Sequence, residues 1–144
     1  MTSYYLNPGL AQPVASELDA PYWEGLRDNV LRIQQCQSCS GFQWGPEWIC
    51  HHCLSDTMHF VETAAAGIIY SYERVWHPVH PALAEQGPYI VVLVELPDAG
   101  NIRMVGNLLG DAEQTVPIGA RVSGEYEHHE DADVPFTLLH WRLS

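Results

Sequence analysis

All four cysteines of the chain lie in one short stretch, CQSCSGFQWGPEWICHHC, at residues 36–53. They form two Cys-x-x-Cys pairs, and ten residues separate the pairs. Two residues between cysteines let both thiolates of a tight turn bind one metal ion, and two such turns supply four tetrahedral ligands. Four protein ligands leave no open coordination position, so this pattern predicts a structural zinc ion. The predicted ligands are Cys36, Cys39, Cys50 and Cys53.

Other uses of these cysteines stay open at this point. An iron ion in a rubredoxin-type site takes the same four ligands. Disulfides are unusual in the cytoplasm, and a thioredoxin-like redox centre needs one pair at a strand-to-helix junction, not two facing pairs. His51 and His52 lie between the ligands and could replace a cysteine.

A group of aromatic, arginine and histidine residues follows the cysteines. In GIIYSYERVW, strand alternation predicts one shared face for Ile68, Tyr70, Tyr72, Arg74 and Trp76. The segment His77-Pro78-Val79-His80-Pro81 then opens a loop that runs to Pro88, and each proline keeps the preceding backbone extended. We predict that this region contacts a partner or ligand, with an ordinary surface loop, an acid–base histidine or a second metal site as alternatives. The predicted contact residues are Tyr72, Arg74, Trp76, His77 and His80.

The remaining polar clusters predict no catalytic centre. His128 and His129 stand among acidic residues, which predicts a solvated turn between strands, with a divalent-ion site as the alternative. The sequence has no Gly-x-Ser-x-Gly elbow, phosphate-binding glycine loop or dinucleotide fingerprint. We therefore expect any enzymatic activity to need a second protein.

Hydrophobic patterning predicts a mainly β protein that positions these residues. ELDAPYWEGLRDNVL predicts a short helix, with Asp19 as its N-cap and a stripe formed by Trp23, Leu26 and Val30. LRIQQ predicts a strand, and about five more strand-like runs follow the cysteines, with Gly106 as a candidate bulge or bend. We predict an N-terminal arm and helix over residues 1–33, a rubredoxin-like zinc ribbon over 34–62 and a five-stranded OB-fold barrel over 63–144.

The charge pattern limits the classes of partner. The formal net charge is −12, and all six basic residues are arginines. Nucleic-acid binding requires clustered cations, so this composition disfavours it, whereas an acidic surface suits a protein partner with a basic face. No apolar run approaches the ~18 residues of a membrane span, and the N-terminus lacks the features of a signal peptide. We expect a cytoplasmic protein.

The order of these motifs resembles that of a known family. From Tyr22 to near the C-terminus, the chain is similar to the OB-fold acyl-CoA-associated zinc-ribbon family, long catalogued as a domain of unknown function. The segments that carry the resemblance are PYWEGLRDNVLRIQQCQSC, GFQWGPEWICHHC, GIIYSYERVWHP, PYIVVLVELP, IRMVGNLLG and VPIGARVSGEYE. The cysteine quartet followed by Gly-x-x-Tyr-Ser-Tyr and Pro-Tyr-x-Val-x-Leu-Val-Glu-Leu is the specific part of this pattern.

The resemblance implies a function as an accessory subunit. Family members resemble partners of thiolase-superfamily enzymes: thiolases, hydroxymethylglutaryl-CoA synthase, phloroglucinol acetyltransferases and aldolases that shorten steroid side chains. It implies a hetero-oligomer in which the partner carries the catalytic residues and the small subunit supports assembly and helps to enclose CoA. Arg74 and Arg103 are then the candidates for contact with CoA phosphates. The alternatives are a nucleic-acid-binding zinc-ribbon OB-fold and a small self-sufficient acyl-CoA enzyme.

Overall fold

The structure, a computed structural model, describes residues 4–144, so the first three residues of the predicted arm lie outside it. It confirms a mainly β chain with one short α-helix, α1 (Ala20–Arg27). Eight strands follow, at Leu31–Cys36 (β1), Phe42–Gln43 (β2), Met58–Thr63 (β3), Ala66–Val75 (β4), Tyr89–Leu96 (β5), Ile102–Asn107 (β6), Arg121–His129 (β7) and Phe136–Leu143 (β8). Short 3-10 helices occupy Pro81–Leu83 and Pro97–Ala99. None of the helices within residues 4–144 has the length and apolar character that a membrane span requires.

Helix α1 is shorter than the sequence predicts. Asn29 adopts a left-handed conformation with φ of 59°, and the Val30 N–H donates to the Gly25 carbonyl at 2.8 Å. This closing turn ends the helix, so Val30 lies outside the predicted apolar stripe. Asp19 does occupy the N-cap position, but its carboxylate accepts hydrogen bonds from Ser16 and caps no helical N–H group.

Strands β1 to β3 form the antiparallel sheet of the ribbon, in the order β2-β1-β3. β1 pairs with β3 along its whole length, from Leu31 opposite Thr63 to Cys36 opposite Met58. This register delivers the first cysteine at the end of β1, while Leu31 and Ile33 are buried in the hydrophobic core. The predicted LRIQQ strand is confirmed and connects the metal ligands to that core.

Strands β4 to β8 form a nearly closed five-stranded antiparallel barrel, in the order β6-β5-β4-β7-β8. A parallel bridge between Leu108 and Trp141 closes the gap between the two edge strands, and the Leu109 N–H donates to the Trp141 carbonyl at 2.7 Å. Five strands with this closure match an OB-fold barrel. The predicted fold class is therefore confirmed.

The barrel interior shows why Gly106 is a glycine. The β5–β6 register is continuous through Gly106 opposite Val92, so the predicted bulge at this position is wrong. A Cβ atom on Gly106 would lie 2.8 Å from Cδ1 of Trp141, which is 1% exposed and among the largest fully buried side chains. The glycine instead makes room for the indole ring.

Candidate metal centre and contact surface

The two Cys-x-x-Cys pairs fold into two turns with matching backbone geometry. In the first turn the Ser40 N–H donates to the Cys36 carbonyl at 2.9 Å, and in the second the Leu54 N–H donates to the Cys50 carbonyl at 2.8 Å. Ser40 and Leu54, each directly after the second cysteine of its pair, both adopt left-handed conformations, with φ of 63° and 65°. The spacing in the sequence therefore produces two equivalent ligand-presenting turns.

The four sulfur atoms lie where one metal ion would join them. All four are within 4.8 Å of one another, and no other group of this kind occurs among residues 4–144. The Sγ atoms of Cys36 and Cys53 are 3.7 Å apart, and those of Cys39 and Cys50 are 3.6 Å apart. Tetrahedral zinc with Zn–S bonds of about 2.3 Å has S···S edges of about 3.8 Å, so the four thiolates fit a closed site. Iron in the same ligand set fits these distances equally well.

Backbone N–H groups prepare the sulfurs for a metal ion. Among them, Ser38 N lies 3.3 Å from Cys36 Sγ, Gly41 N lies 3.4 Å from Cys39 Sγ, and His52 N lies 3.4 Å from Cys50 Sγ. Hydrogen bonds from the N–H of Cys39 and, after it, of Ser38 outweigh burial and lower the pKa of Cys36 to about 6. Metal binding requires thiolates, so hydrogen bonds that favour the thiolate form of Cys36 also favour metal binding.

Two buried glutamines, which the sequence pattern does not single out, fix the loop between the cysteine pairs. Gln34 and Gln43 are 2% and 1% exposed, and the Gln43 amide donates to the Gln34 side-chain oxygen at 3.0 Å. The Gln34 side chain also donates to the Glu47 carbonyl at 2.7 Å and accepts from the Glu47 N–H at 3.0 Å. Gln43 bonds the backbone of residues 49 and 51 in the same way. A satisfied buried polar network of this kind specifies one backbone path.

The predicted contact strand contains a bulge that changes its faces. The register between β4 and β5 shifts at Tyr70, so Tyr72 and Arg74 face the same side as buried Ile69 and the opposite side from Ile68. The single shared face predicted for five residues of this strand is therefore wrong. Tyr72, Arg74 and Trp76 do remain together, because the Arg74 guanidinium lies 6.0 Å from the Tyr72 ring centre and 5.6 Å from that of Trp76.

The arginines of this region are held by contacts inside the chain. Arg74 donates to the carbonyls of Ala112, at 2.8 Å, and Gln114. Arg103 donates to the Glu95 carboxylate at 3.0 Å, and its guanidinium lies 3.6 Å from the centre of the Tyr70 ring. Arg74 thus fastens the β6–β7 connection beside the exposed ring of Trp76, while Arg103 is neutralised by an ion pair.

The predicted histidine loop is a surface element. His80 caps the 3-10 helix Pro81–Leu83, because its Nδ1 accepts a hydrogen bond from the Ala82 N–H at 3.1 Å. His77 is exposed, and the neighbouring Val79 is 98% exposed. The structure places these residues at the end of β4, next to Trp76. Their role in partner contact stays a prediction.

The His128-His129 segment is not a solvated turn. Both residues belong to β7, and His129 is 5% exposed. His129 lies between the rings of Tyr4 and Phe136, and its Nε2 is 2.6 Å from a Glu127 carboxylate oxygen. His128 bridges Thr137 and Asn29, each at 2.8 Å, and so ties the end of α1 to the barrel. The strand-like run ARVSGEYEHH ends at these two histidines, so the predicted strand is confirmed and the solvated turn is wrong.

Glu127 is the centre of a buried charged cluster that holds the N-terminal arm. Its Oε2 accepts a hydrogen bond from the Tyr5 N–H at 2.8 Å, and His140 Nε2 lies 3.2 Å from the same oxygen, while His129 Nε2 contacts Oε1. Burial opposes the charge of Glu127, but the contacts with His140, the Tyr5 N–H and His129 outweigh it and lower its pKa to about 2. The negative charge therefore stabilises the folded chain.

The stability contributed by Glu127 should depend on pH. Because the folded pKa of about 2 lies below the ordinary 4.5, the contribution is complete above pH 4.5 and is lost as the pH falls towards 2. At neutral pH we expect it to reach at most about 3 kcal/mol. Urea unfolding of the parent and of Glu127→Gln, between pH 7 and pH 3, should show a stability difference that shrinks with acidification. The matched change at exposed Glu130 should give no such trend, and an equal trend in both variants would contradict this assignment.

A tetrathiolate ribbon joined to a five-stranded barrel defines the class of zinc-ribbon OB-fold proteins. Two family models match the chain: the rubredoxin-like zinc ribbon domain of ChsH2 over residues 23–59, and the C-terminal OB-fold domain of ChsH2 over residues 60–127. A solved structure named Ltp2-ChsH2(DUF35) aldolase is similar over 92% of this chain and 98% of that chain, with 35% identity and a TM-score of 0.77. The chain belongs to the ChsH2 (DUF35) family, and the predicted resemblance is confirmed.

Further relatives are more distant or longer. A DUF35-family protein of unknown function from Sulfolobus solfataricus shares the fold, with a TM-score of 0.58 and 16% identity over 89% of this chain and 86% of that chain. A probable enoyl-CoA hydratase alpha subunit from Thermomonospora curvata is 37% identical over 111 residues, and a 3-oxo-4,17-pregnadiene-20-carboxyl-CoA hydratase alpha subunit from Mycobacterium tuberculosis is 27% identical over 117. These matches cover 77% and 81% of this chain but 34% and 36% of the relatives, so the chain spans about a third of their length.

Proposed function

We propose that this chain is a zinc-binding accessory subunit of a heteromeric enzyme that acts on acyl-CoA, and that a thiolase-superfamily partner carries the catalytic residues. The observation that supports this most is the similarity along nearly the whole chain to the structure named Ltp2-ChsH2(DUF35) aldolase, a name with two components. The two longer relatives are named as alpha subunits of CoA-substrate hydratases, which supports both the substrate class and a partner.

The chemistry of the side chains supports an assembly function. The four thiols have the geometry of metal ligands, and the cluster around Glu127 holds the N-terminal arm. Zinc, when bound by these four cysteines, would supply structural stability and no reactive position. The ribbon and barrel then act as a rigid support for the partner.

The contact surface proposed for the partner is built around the end of β4. Tyr72 and Trp76 are 39% and 51% exposed, and Arg74 holds the 112–114 segment beside them. Of the residues proposed for acyl-CoA, Arg74 and Arg103 already bind groups of this chain, so a CoA phosphate would have to compete with carbonyls or with Glu95. We therefore propose that partner assembly is the main role of this surface and that acyl-CoA is shared with the partner.

The test of this function is reconstitution. The chain is co-expressed with a thiolase-superfamily protein from the same genome, the complex is isolated by size-exclusion chromatography, and thioester turnover is measured for each component and for the mixture. We expect a stable complex and turnover only when both proteins are present. Efficient turnover by this chain alone, or the absence of a complex at micromolar concentrations, would refute the proposal.

Variants of the β4 end locate the contact within the same experiment. Trp76→Ala, His77→Ala and His80→Asn, which keeps a capping oxygen for the Ala82 N–H, should weaken assembly while leaving the midpoint of thermal unfolding nearly unchanged, because surface changes away from buried contacts have small effects on stability. Val134→Ser, at a side chain 74% exposed in the β7–β8 turn, is the matched control. A fall in stability without any loss of assembly would mean that the loop packs only on its own barrel.

A further inference from the structure

The second cysteine turn carries an exposed apolar patch, which we call the ribbon tip. It consists of Trp48, Ile49 and Leu54, whose side chains are 63%, 48% and 77% exposed. Trp48 and Ile49 directly precede the second cysteine pair and Leu54 directly follows it, and the turn between them is closed by the Leu54 N–H, which donates to the Cys50 carbonyl at 2.8 Å. Large exposed apolar groups that adjoin one another mark interaction surfaces more often than isolated ones do.

Buried hydrogen bonds fix the backbone that exposes the ribbon tip. Gln34 and Gln43 fix the backbone at residues 47, 49 and 51, on both sides of Trp48 and Ile49. Burying two amide side chains is favourable only because each finds its hydrogen-bond partners. The two buried glutamines therefore fix the backbone path that exposes the tip. A surface that is already ordered loses less conformational entropy when it binds a partner.

Leu54 is unfavourable for the isolated chain in two respects. It is largely exposed, and its φ of 65° lies in the left-handed region, where a leucine is strained and asparagine or glycine is better accommodated. A leucine at this position stabilises neither the turn nor the core. Backbone strain of this kind is concentrated at functional positions.

The charges around the tip restrict the surface that can cover it. No lysine or arginine occurs in the segment that contains the tip, residues 36–57, and Glu47 and Asp56 are its two carboxylates. Glu47 directly precedes the tip, and Asp56 follows two residues after it. The complementary surface is therefore an apolar pocket with basic residues at its rim, because charges on opposing rims select partners and steer their encounter.

We propose that the ribbon tip is a second docking element for the catalytic partner, in which Trp48 and Leu54 enter an apolar pocket edged by arginine or lysine residues. This inference rests on the proposed accessory function. It places partner contact at the ribbon as well as at the end of β4. Tryptophan in such a position is the residue type that most often dominates the affinity of an interface.

The experiment measures the affinity of the full-length, metal-loaded chain for the same thiolase-superfamily protein, by isothermal titration calorimetry at low and high salt. Leu54→Asn removes the apolar side chain but suits the left-handed backbone, so its thermal stability should equal or exceed that of the parent. We expect Leu54→Asn and Trp48→Ser each to weaken binding by about tenfold or more, with unchanged metal content. Val134→Ser should bind like the parent, and added salt should weaken parent binding.

The outcomes separate this inference from the proposed function. If the parent binds its partner and both tip variants bind equally well, the ribbon tip is not a docking element, while the accessory function stands. If the parent does not bind, both proposals fail together. Sedimentation of the chain alone provides a further check, because a dimer that the tip variants convert to a monomer would assign the tip to a second copy and overturn the partner assignment.

Discussion

The Cys36→Ser variant is expected to lose its metal ion and the fold of the ribbon, residues 31–63. Cys36 lies at the end of β1 and is 1% exposed, so serine removes both a predicted ligand and a buried anchor. Structural zinc contributes roughly 10 kcal/mol or more of folding free energy in small zinc modules. Metal content per chain should fall to zero, amide NMR signals of the ribbon should collapse to unfolded positions, and partner binding should be abolished.

His51→Ala provides the matched control for this prediction. His51 lies between the second pair of ligands but is exposed, and the sulfur geometry does not require it. It should retain one metal ion per chain and an unchanged ribbon. The metal-bound parent should be colourless with zinc, whereas iron would give visible thiolate-to-metal absorption. A Cys36→Ser chain that stays folded, metal-bound and fully assembled would contradict the structural-metal account.

Trp141→Ala should destabilise the barrel by about 3–5 kcal/mol, the range for deletion of a large buried aromatic side chain. Trp141 fills the space above Gly106 and belongs to the bridge that closes the barrel at Leu108. Chemical denaturation should report this loss, while the metal content at low denaturant should stay at the parent value because the cysteines lie in the other sheet.

Two further substitutions test the contact between Trp141 and Gly106, one by removing side-chain volume and the other by adding it. Trp141→Phe leaves a smaller cavity and should cost less than the alanine variant. Gly106→Ala inserts a methyl group 2.8 Å from the indole and should destabilise by about 1–3 kcal/mol through overpacking. A Trp141→Ala variant as stable as the parent would mean that the packing of Trp141 against Gly106 does not stabilise the barrel.

Sequence reasoning succeeded where one short pattern determines the geometry. The cysteine spacing predicted the two turns, and the apolar, β-branched run PYIVVLVELP predicted β5, in which every second residue from Ile90 to Leu96 is buried. It failed where long-range contacts decide the outcome. The bulge at Tyr70 changes the faces of β4 only through its register with β5, and burial of His129 depends on Tyr4, which is 125 residues away in the chain.

The candidate site shows the same division. The metal ligands follow from residue type and spacing, whereas a glutamine in a sequence carries no signal that it will be buried. Gln34 and Gln43 acquire their role only when β1 and β2 pair and bring them into contact. Likewise, the sequence does not show whether Arg74 has a hydrogen-bond partner. Only the path of the β6–β7 connection brings the carbonyls of Ala112 and Gln114 to its guanidinium.

The glutamine pair beneath the ribbon loop has no ionisable group, in contrast to the carboxylate and imidazoles that fasten the N-terminal arm. Neutral amides keep their donors and acceptors through acidification, whereas Glu127 loses its charge in strong acid. The backbone path at Trp48 and Ile49 is therefore fixed by amide groups that do not titrate. The amide contacts on both sides of Trp48 and Ile49 would therefore persist at pH values at which the contacts of the N-terminal arm weaken.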